Sequence, residues 1–561
     1  MMNFRRSNLF LALLLGCTAT AIAQNAPVLD ERVRQLVTTK VEGGGYPSIV
    51  VGVIDGERLE VVGFGSMADD RKRAPDGATV YEIGSVTKTF TALLLADAVE
   101  RGEASLDLPV ERLLSDTRIP SSGNRSITLL DLATQSSGLP RLPDNLLPKD
   151  VANPYADYTI ADLKKFLATY HLPRAPGERY EYSNLGFGLL GQALSHKSGV
   201  PYGELVRRRI TATLGMNDTS IALTPVLAAR FAPGHDAQGK PARPWDLGAL
   251  EGAGALRSSA RDLLTYLRAH MHPPAGPLAK ALAEVVRPQR ATDRESAKIG
   301  LAWQIESRQG QTIVWHDGMT GGSASFVGFN ADGSRGVVVL SNISRDLGDI
   351  GFAVLLPESK TSTAPKEIVL DPKMHAEYVG RYRLAPGFDL VISAVDGGLQ
   401  ARGTGQPAAA IFATARDELF LKMVDAQLSF RRDEKGRVAS LVLHQNGHDM
   451  PAPRVANEAA VAFAAPASPK ELKLEAAALV PYVGRYALAP GFALHVTAEK
   501  DQLYVQATAQ ARIPVYASAP DDFFYKVVDA RLSFERGKDG SVPALVLHQN
   551  GRDLRGARQA E

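Results

Sequence analysis

Cysteine is almost missing from this chain: one among 561 residues, at Cys17. A single thiol excludes a disulfide framework and a cluster of thiolate metal ligands. A surplus of charge of one sign is missing too. Sixty-three basic residues face 61 acidic ones, a net charge of +2, so no basic excess is left to neutralise nucleic-acid phosphates or an anionic membrane surface. Beyond the first 23 residues no apolar run is long enough to span a bilayer as a helix. The 11 histidines are scattered. His270 and His272 lie close together without a third ligand, so neither a metal site nor a cofactor is expected.

What is present is an ordinary globular composition, 45% hydrophobic and 22% charged, on a chain too long for one core. Its start reads as an address. Arg5 and Arg6 precede the apolar run Leu9 to Leu15, and Ala21-Ile22-Ala23 offers a small-residue cleavage site. Residues 1–23 are therefore expected to be a signal peptide, and the mature chain to work in the periplasm or outside the cell. Leu14-Leu15-Gly16-Cys17 permits a second reading, a lipobox with Cys17 as a lipidated first residue at the outer membrane. Leucine before the glycine is not the favoured choice in that motif, so cleavage after Ala23 is preferred.

Ser48 to Ile54 and Leu59 to Phe64 read as a hairpin about Asp55-Gly56. Residues from about 85 to 300 read as mainly helical, and strand patterns return at 300–306, 312–316, 325–329 and 336–341. Strands at both ends predict one sheet closed from both sides around a helical insertion. A Pro/Ser/Thr/Lys-rich linker, Leu356 to Lys366, comes next. Then the sequence repeats itself. Tyr378-Val-Gly-Arg-Tyr382 recurs from Tyr482, and Leu441-Val-Leu-His-Gln-Asn-Gly447 recurs from Leu545, both at an offset of 104 residues. Two copies of one small domain are joined by an Ala/Pro-rich link near 459–469. Their short alternating runs predict antiparallel all-β, barrel-like units. The expected divisions are 27–358, 367–457 and 470–558.

Three patches carry the chemistry. Ser85-Val-Thr-Lys88 opens an apolar stretch, Val86 to Arg101, closed by Gly102. Ser85 then sits at the N-terminus of a buried helix, with its N–H free and Lys88 on the same face one turn on. A hydroxyl needs a base to become a nucleophile. A desolvated lysine supplies one. Tyr182-Ser183-Asn184 follows Pro176-Gly177 and begins another helix, placing a phenol and an amide two residues apart. Beside a charged lysine, Tyr182 is expected to favour the phenolate and serve as a base. His316-Asp317-Gly318 ends a strand. Gly318 leaves room for a substrate against the strand edge, and the next N–H, on Met319, pairs with that of Ser85 as an oxyanion hole. Each patch has a plain structural reading as well: an N-cap serine, a buried tyrosine with an asparagine cap, a strand-end histidine. The combination decides for chemistry.

Glu82-Ile-Gly-Ser-Val-Thr-Lys88, Ile127 to Pro140, Pro176 to Asn184 and His316-Asp-Gly-Met-Thr-Gly-Gly322 resemble the serine beta-lactamase and penicillin-binding-protein superfamily, in its class C-like esterase and D-aminopeptidase branch. The resemblance covers the first roughly 330 residues of the mature chain and implies an α/β (α+β) catalytic domain. It implies an acyl-enzyme mechanism with Ser85 as nucleophile, Lys88 and Tyr182 relaying protons, Asn184 on the substrate amide and Met319 as second oxyanion donor. It implies no cofactor and a small-molecule or short peptide substrate. Beta-lactamases usually carry lysine where this chain has His316, and a neutral imidazole weakens the anchor for a drug's carboxylate. The leading expectation is therefore a hydrolase of an ester or a small peptide or amide, including one built on a D-amino acid. A class C-like beta-lactamase and a non-catalytic penicillin-binding or sensing protein are the alternatives. The pocket walls fall to loops such as Leu139 to Asn145, and a loop of one repeat is expected to narrow the cleft.

Overall fold

The computed structural model describes residues 27–67, 73–356, 367–455 and 471–559, apart from 386–387, 396, 404–407, 422–425, 446–447, 529 and 550–551. The leader with Cys17 and the linkers at 357–366 and 459–469 lie outside the described residues.

The first sheet has eight strands. β1 (Ser48–Asp55) and β2 (Arg58–Gly65) form the expected hairpin, in which Asp55 pairs with Arg58 and Gly56 takes the left-handed turn at φ +57°. β3 (Arg290–Ala291), β4 (Ala297–Ile299), β5 (Gln304–Arg308), β6 (Gln311–Met319), β7 (Ala324–Asn330) and β8 (Arg335–Ser341) complete it in the order β2-β1-β8-β7-β6-β5-β4-β3. β1 lies antiparallel to β8, Ile49 opposite Ser341. Chain start and chain return thus share one sheet, as the strand patterns predicted.

Five helices cover the sheet or carry the site: α1 (Glu31–Glu42), α2 (Thr87–Glu100), α3 (Asn184–Ser198), α4 (Ala260–Met271) and α5 (Gly348–Leu355). Side chains alternate across a strand, and β1 uses both faces. Val50 and Ile54 pack into the larger core with Leu264 and Tyr266 of α4. Ile49, Val51 and Val53 pack into a second core with Val33 and Val37 of α1 and Ile350 of α5. α2 has no polar face wide enough to meet water, so it runs through the centre of the helical insertion, buried from Thr87 to Ala98. α3 is capped by the Ser183 hydroxyl, which accepts the N–H of Gly186 (2.8 Å), and ends at Gly199 in the left-handed conformation.

The repeats fold as two eight-stranded antiparallel units, spanning Gly380–Pro453 and Gly484–Gln559. The second closes into a barrel, with Arg485 pairing with Gln559. In the first, the end strands meet at a bridge between Tyr382 and Arg454. One polar knot recurs at the repeat offset. The Tyr378 hydroxyl accepts the N–H of Asp417, whose carboxylate takes Arg432 (2.7 Å); Tyr482 meets Asp521, which takes Arg536 (2.6 Å).

The second barrel is seated on the loop 140–148 of the catalytic domain. Arg485 pairs with the buried carboxylate of Asp144, and His495 Nε2 lies 3.2 Å from the Asp144 carbonyl. The Ala509 N–H donates to Leu146 (2.9 Å) and Gln506 Nε2 to Pro148 (3.2 Å). Gly491, at φ +73°, lies so close that a Cβ there would fall 2.5 Å from Pro140 Cβ and 2.7 Å from the Leu142 oxygen. The repeats differ at this surface: Val391 and Arg402 stand where the second copy has His495 and Gln506.

Gly491→Ala is expected to push the barrel off the loop, since overpacking a close contact costs about 1–3 kcal/mol. Hydrogen exchange at the Ala509 amide and across 142–148 should quicken while the two cores keep their protection. Unchanged exchange there would mean the barrel does not rest on this loop.

Candidate active site

The three patches converge. α2 does not start on Ser85, as the sequence predicted, but one short turn later. Gly84 to Val86 form a 3-10 turn, and Gly84 has φ +48°, a conformation open chiefly to glycine. Gly84 is needed twice over, because a Cβ on it would fall 2.7 Å from the Met319 nitrogen. Opposite, a Cβ on Gly318 would fall 2.0 Å from the Ile83 oxygen and 2.9 Å from the Ser85 nitrogen. Two bare glycines thus let the serine turn and the end of β6 touch backbone to backbone. The Ser325 hydroxyl on β7 fastens the contact by donating to the Ile83 carbonyl (2.8 Å).

Strand register aims the donors. The Thr320 N–H donates to the Ser323 carbonyl (2.9 Å). In the same register Gly318 opposes Ser325 and His316 opposes Val327, so these are the hydrogen-bonded pairs of β6 and β7. Asp317 and Met319 therefore turn their N–H and C=O groups the other way. β5 follows β6 only to the pair Gln304–Trp315. The outer edge of 317–319 is left facing Ser85.

Lys88 is fully buried, and its Nζ lies 2.9 Å from Ser85 Oγ, 2.8 Å from Asn184 Oδ1 and 2.7 Å from the Ala253 carbonyl. Burial above all, and then the charge of Arg141, push the amine well below the usual lysine range. Asn184 Oδ1, the Ala253 carbonyl and Ser85 Oγ all accept from the amine. The Tyr182 hydroxyl donates to Ser85 Oγ at 2.7 Å. Burial pushes this phenol up, against a smaller opposing effect from its bond to Ser85. The phenolate expected from the sequence is therefore not the resting form of Tyr182. That expectation weighed the neighbouring lysine alone, and the burial that pushes the amine down also pushes the phenol up.

His316 is buried, with Nδ1 2.6 Å from the Asp317 carbonyl. A carbonyl cannot donate, so Nδ1 carries the hydrogen. Burial, reinforced by Lys88, pushes the imidazole down to about 3, so it is uncharged at neutral pH. Sequence reasoning missed Gly84, whose signal was a glycine immediately before the serine. It also missed Arg141, whose side chain lies over the Tyr182 ring, 5.0 Å from its centre. His270 is a core histidine bonded through Nδ1 to the Tyr266 carbonyl (2.9 Å). Among the described residues no group of three metal-binding side chains occurs.

Each barrel also carries a serine–histidine–aspartate row. His444 lies between Ser429 (2.9 Å) and Asp449 (2.6 Å), and His548 lies between Ser533 (3.0 Å) and Asp553 (2.7 Å). These serines already donate to carboxylates, Ser429 to Glu418 (2.5 Å) and Ser533 to Asp522 (2.6 Å). Their hydrogens do not point at the imidazoles, so the rows are cross-strand ladders on the barrel face.

A hydroxyl between a buried lysine amine and a phenol, at the open edge of an antiparallel sheet, marks a serine hydrolase. The chain belongs to the Beta-lactamase family, whose model matches residues 33–352. The model of a domain of unknown function, DUF3471, matches twice, at 364–454 and 468–558. The chain is 29% identical over 276 residues to the D-alanyl-D-alanine-carboxypeptidase/endopeptidase AmpH of Escherichia coli strain K12, covering 48% of this chain and 70% of that protein. It is 27% identical over 348 residues to a beta-lactamase of Pseudomonas fluorescens, covering 55% of this chain and 93% of that one. The crystal structure of a class C beta-lactamase from Rhodobacter sphaeroides shares the fold, with a TM-score of 0.51 at 24% identity over 58% of this chain and 99% of that one.

The geometry generates two expected outcomes. Gly318→Ala should slow fluorophosphonate acylation of Ser85 by roughly 10²–10³-fold, the loss typical of a misplaced oxyanion donor. The melting of the barrels should not move, which calorimetry checks. The second outcome concerns pH. Burial holds the Lys88 amine below the ordinary lysine range, so it takes up its proton only as pH falls through that lowered value. Acylation should therefore fade on the acid side, well below the ordinary lysine range. Lys88→Arg, charged at every pH, should lose about 10²–10⁴-fold in rate with no recovery at high pH. A pH–rate profile of Ser85 labelling reads both.

Proposed function

We propose that this protein hydrolyses small peptides or amides, D-amino-acid-containing ones included, and related esters, by acyl transfer to Ser85. One observation carries the reading: the serine hydroxyl lies 2.9 Å from a fully buried amine and 2.7 Å from a phenol. In the proposed reaction Ser85 Oγ attacks the substrate carbonyl carbon and its proton passes to Lys88 Nζ. The N–H groups of Ser85 and Met319 hold the oxyanion. Tyr182 gives its hydroxyl proton to the leaving nitrogen or oxygen as the bond to the carbonyl carbon breaks, and Lys88 restores it. Water then attacks the Ser85 ester, with the same groups moving protons in the reverse sense. Asn184, its Oδ1 turned to Lys88, has its NH₂ free for the substrate's amide carbonyl.

The AmpH relative is named for peptide substrates, and the uncharged His316 favours this chemistry over drug hydrolysis. The beta-lactamase relatives keep that second reading alive. We propose further that the chain is exported and matured by cleavage after Ala23, with a lipid anchor at Cys17 as the alternative. The mass of the mature N-terminus separates the two.

A panel of D- and L-aminoacyl amides, short peptides ending in D-residues, nitrophenyl esters and nitrocefin tests the reading. Turnover of amides or peptides above nitrocefin by at least tenfold in kcat/KM is expected, with all of it lost in Ser85→Ala. Nitrocefin as the best substrate would make the protein a beta-lactamase. Stable acylation by penicillins without any turnover would make it a penicillin-binding protein.

A further inference from the structure

His316 leaves the third patch without a charge, yet the cleft is not without a cation. Arg141 follows Pro140 on the loop that the second barrel grips. Its backbone is fixed: the N–H groups of Asn184 and Leu185 both donate to its carbonyl (3.0 and 3.2 Å), and the Ser183 hydroxyl donates to the preceding Pro140 carbonyl (2.6 Å). The side chain lies across the Tyr182 ring and is exposed. Its charge reaches Lys88, Tyr182 and Asp317. Among the described residues its guanidinium has no ion pair and no hydrogen-bond acceptor. Neighbouring arginines are spoken for. Arg125 and Arg290, which line a cavity of about 450 Å³ beside Tyr180, both bind the buried Asp131, and Arg179 stands near Glu181.

We propose that Arg141 is a specificity-determining residue that binds a carboxylate carried by the substrate. An exposed, unpaired guanidinium held against an aromatic ring is preorganised for a two-pronged bond to a planar carboxylate. Stacking spends its side-chain freedom before the substrate arrives. The position over Tyr182 puts the bound carboxylate beside the serine site. The charge thus moves from the strand, where a lysine would have carried it, to the loop under the barrel. This rests on the proposed chemistry at Ser85.

Two substrate pairs test it in the full-length protein. One peptide is offered with a free C-terminal carboxylate or as its carboxamide. The same peptide is offered with an N-succinyl or an N-acetyl group. All are read as kcat/KM at a pH above the acid limb set by Lys88, because loss of the Arg141 charge also shifts that limb upward. The wild type should prefer the carboxylate member of one pair, which tells whether the anion lies on the leaving or the acyl side. In Arg141→Gln that preference should fall roughly 10–100-fold, and Arg141→Lys should keep part of it. Absence of any preference in the wild type, or a preference that survives Arg141→Gln, overturns the proposal. Wild-type protein that a fluorophosphonate does not label at Ser85 would defeat the underlying chemistry instead.

Discussion

Everything at this site depends on an amine that has been taken out of water. Burial inside the helical insertion disfavours the charged form of Lys88 and holds its amine well below the ordinary lysine range. That one fact sets the rest. The same dry space holds Asn184 with Oδ1 on the amine and, by burial, keeps Tyr182 as the phenol. One burial thus bears on the amine and the phenol together. Lys88 and the neighbouring pair Tyr182 and Asn184, nearly a hundred residues on, share one dry space.

The second constraint is backbone contact. α2 must deliver Ser85 to the strand edge at a distance that any Cβ would prevent. The chain meets this with Gly84 on one side and Gly318 on the other. β6 outruns β5 beyond Trp315, so the strand end keeps an unpaired edge within the sheet. An open edge is usually a liability. Here it is short, recessed, and turned toward the one serine that can use it.

Much of this was legible in the sequence because the motifs are local. S-x-x-K, Y-S-N and H-D-G each fix their own geometry, and strand and helix patterns told which elements carry them. The hairpin at Asp55-Gly56 and the two β repeats were readable for the same reason. What escaped reading was whatever depends on elements meeting. The state of Tyr182 follows from burial, which no spacing encodes. Arg141 sits in a loop with no periodicity, and its importance appears only once its side chain lies over Tyr182. Nor did the repeats tell which copy would touch the catalytic domain. Their shared phrases build the common barrel, whereas the docking rests on scattered differences such as Val391 against His495 and Arg402 against Gln506.

The seat of the second barrel has a bearing on how the molecule comes into being. His495 meets Asp144 across 351 positions of chain, with the whole first barrel threaded between. Domains emerge from the ribosome in order and fold largely as they emerge. The catalytic domain is thus separated from its brace by a full barrel of sequence, and until the second barrel is in place the Arg141 loop lacks these contacts. Bracing of the cleft thus waits on the second barrel, and a chain terminated before it differs from a longer one at the Arg141 loop itself.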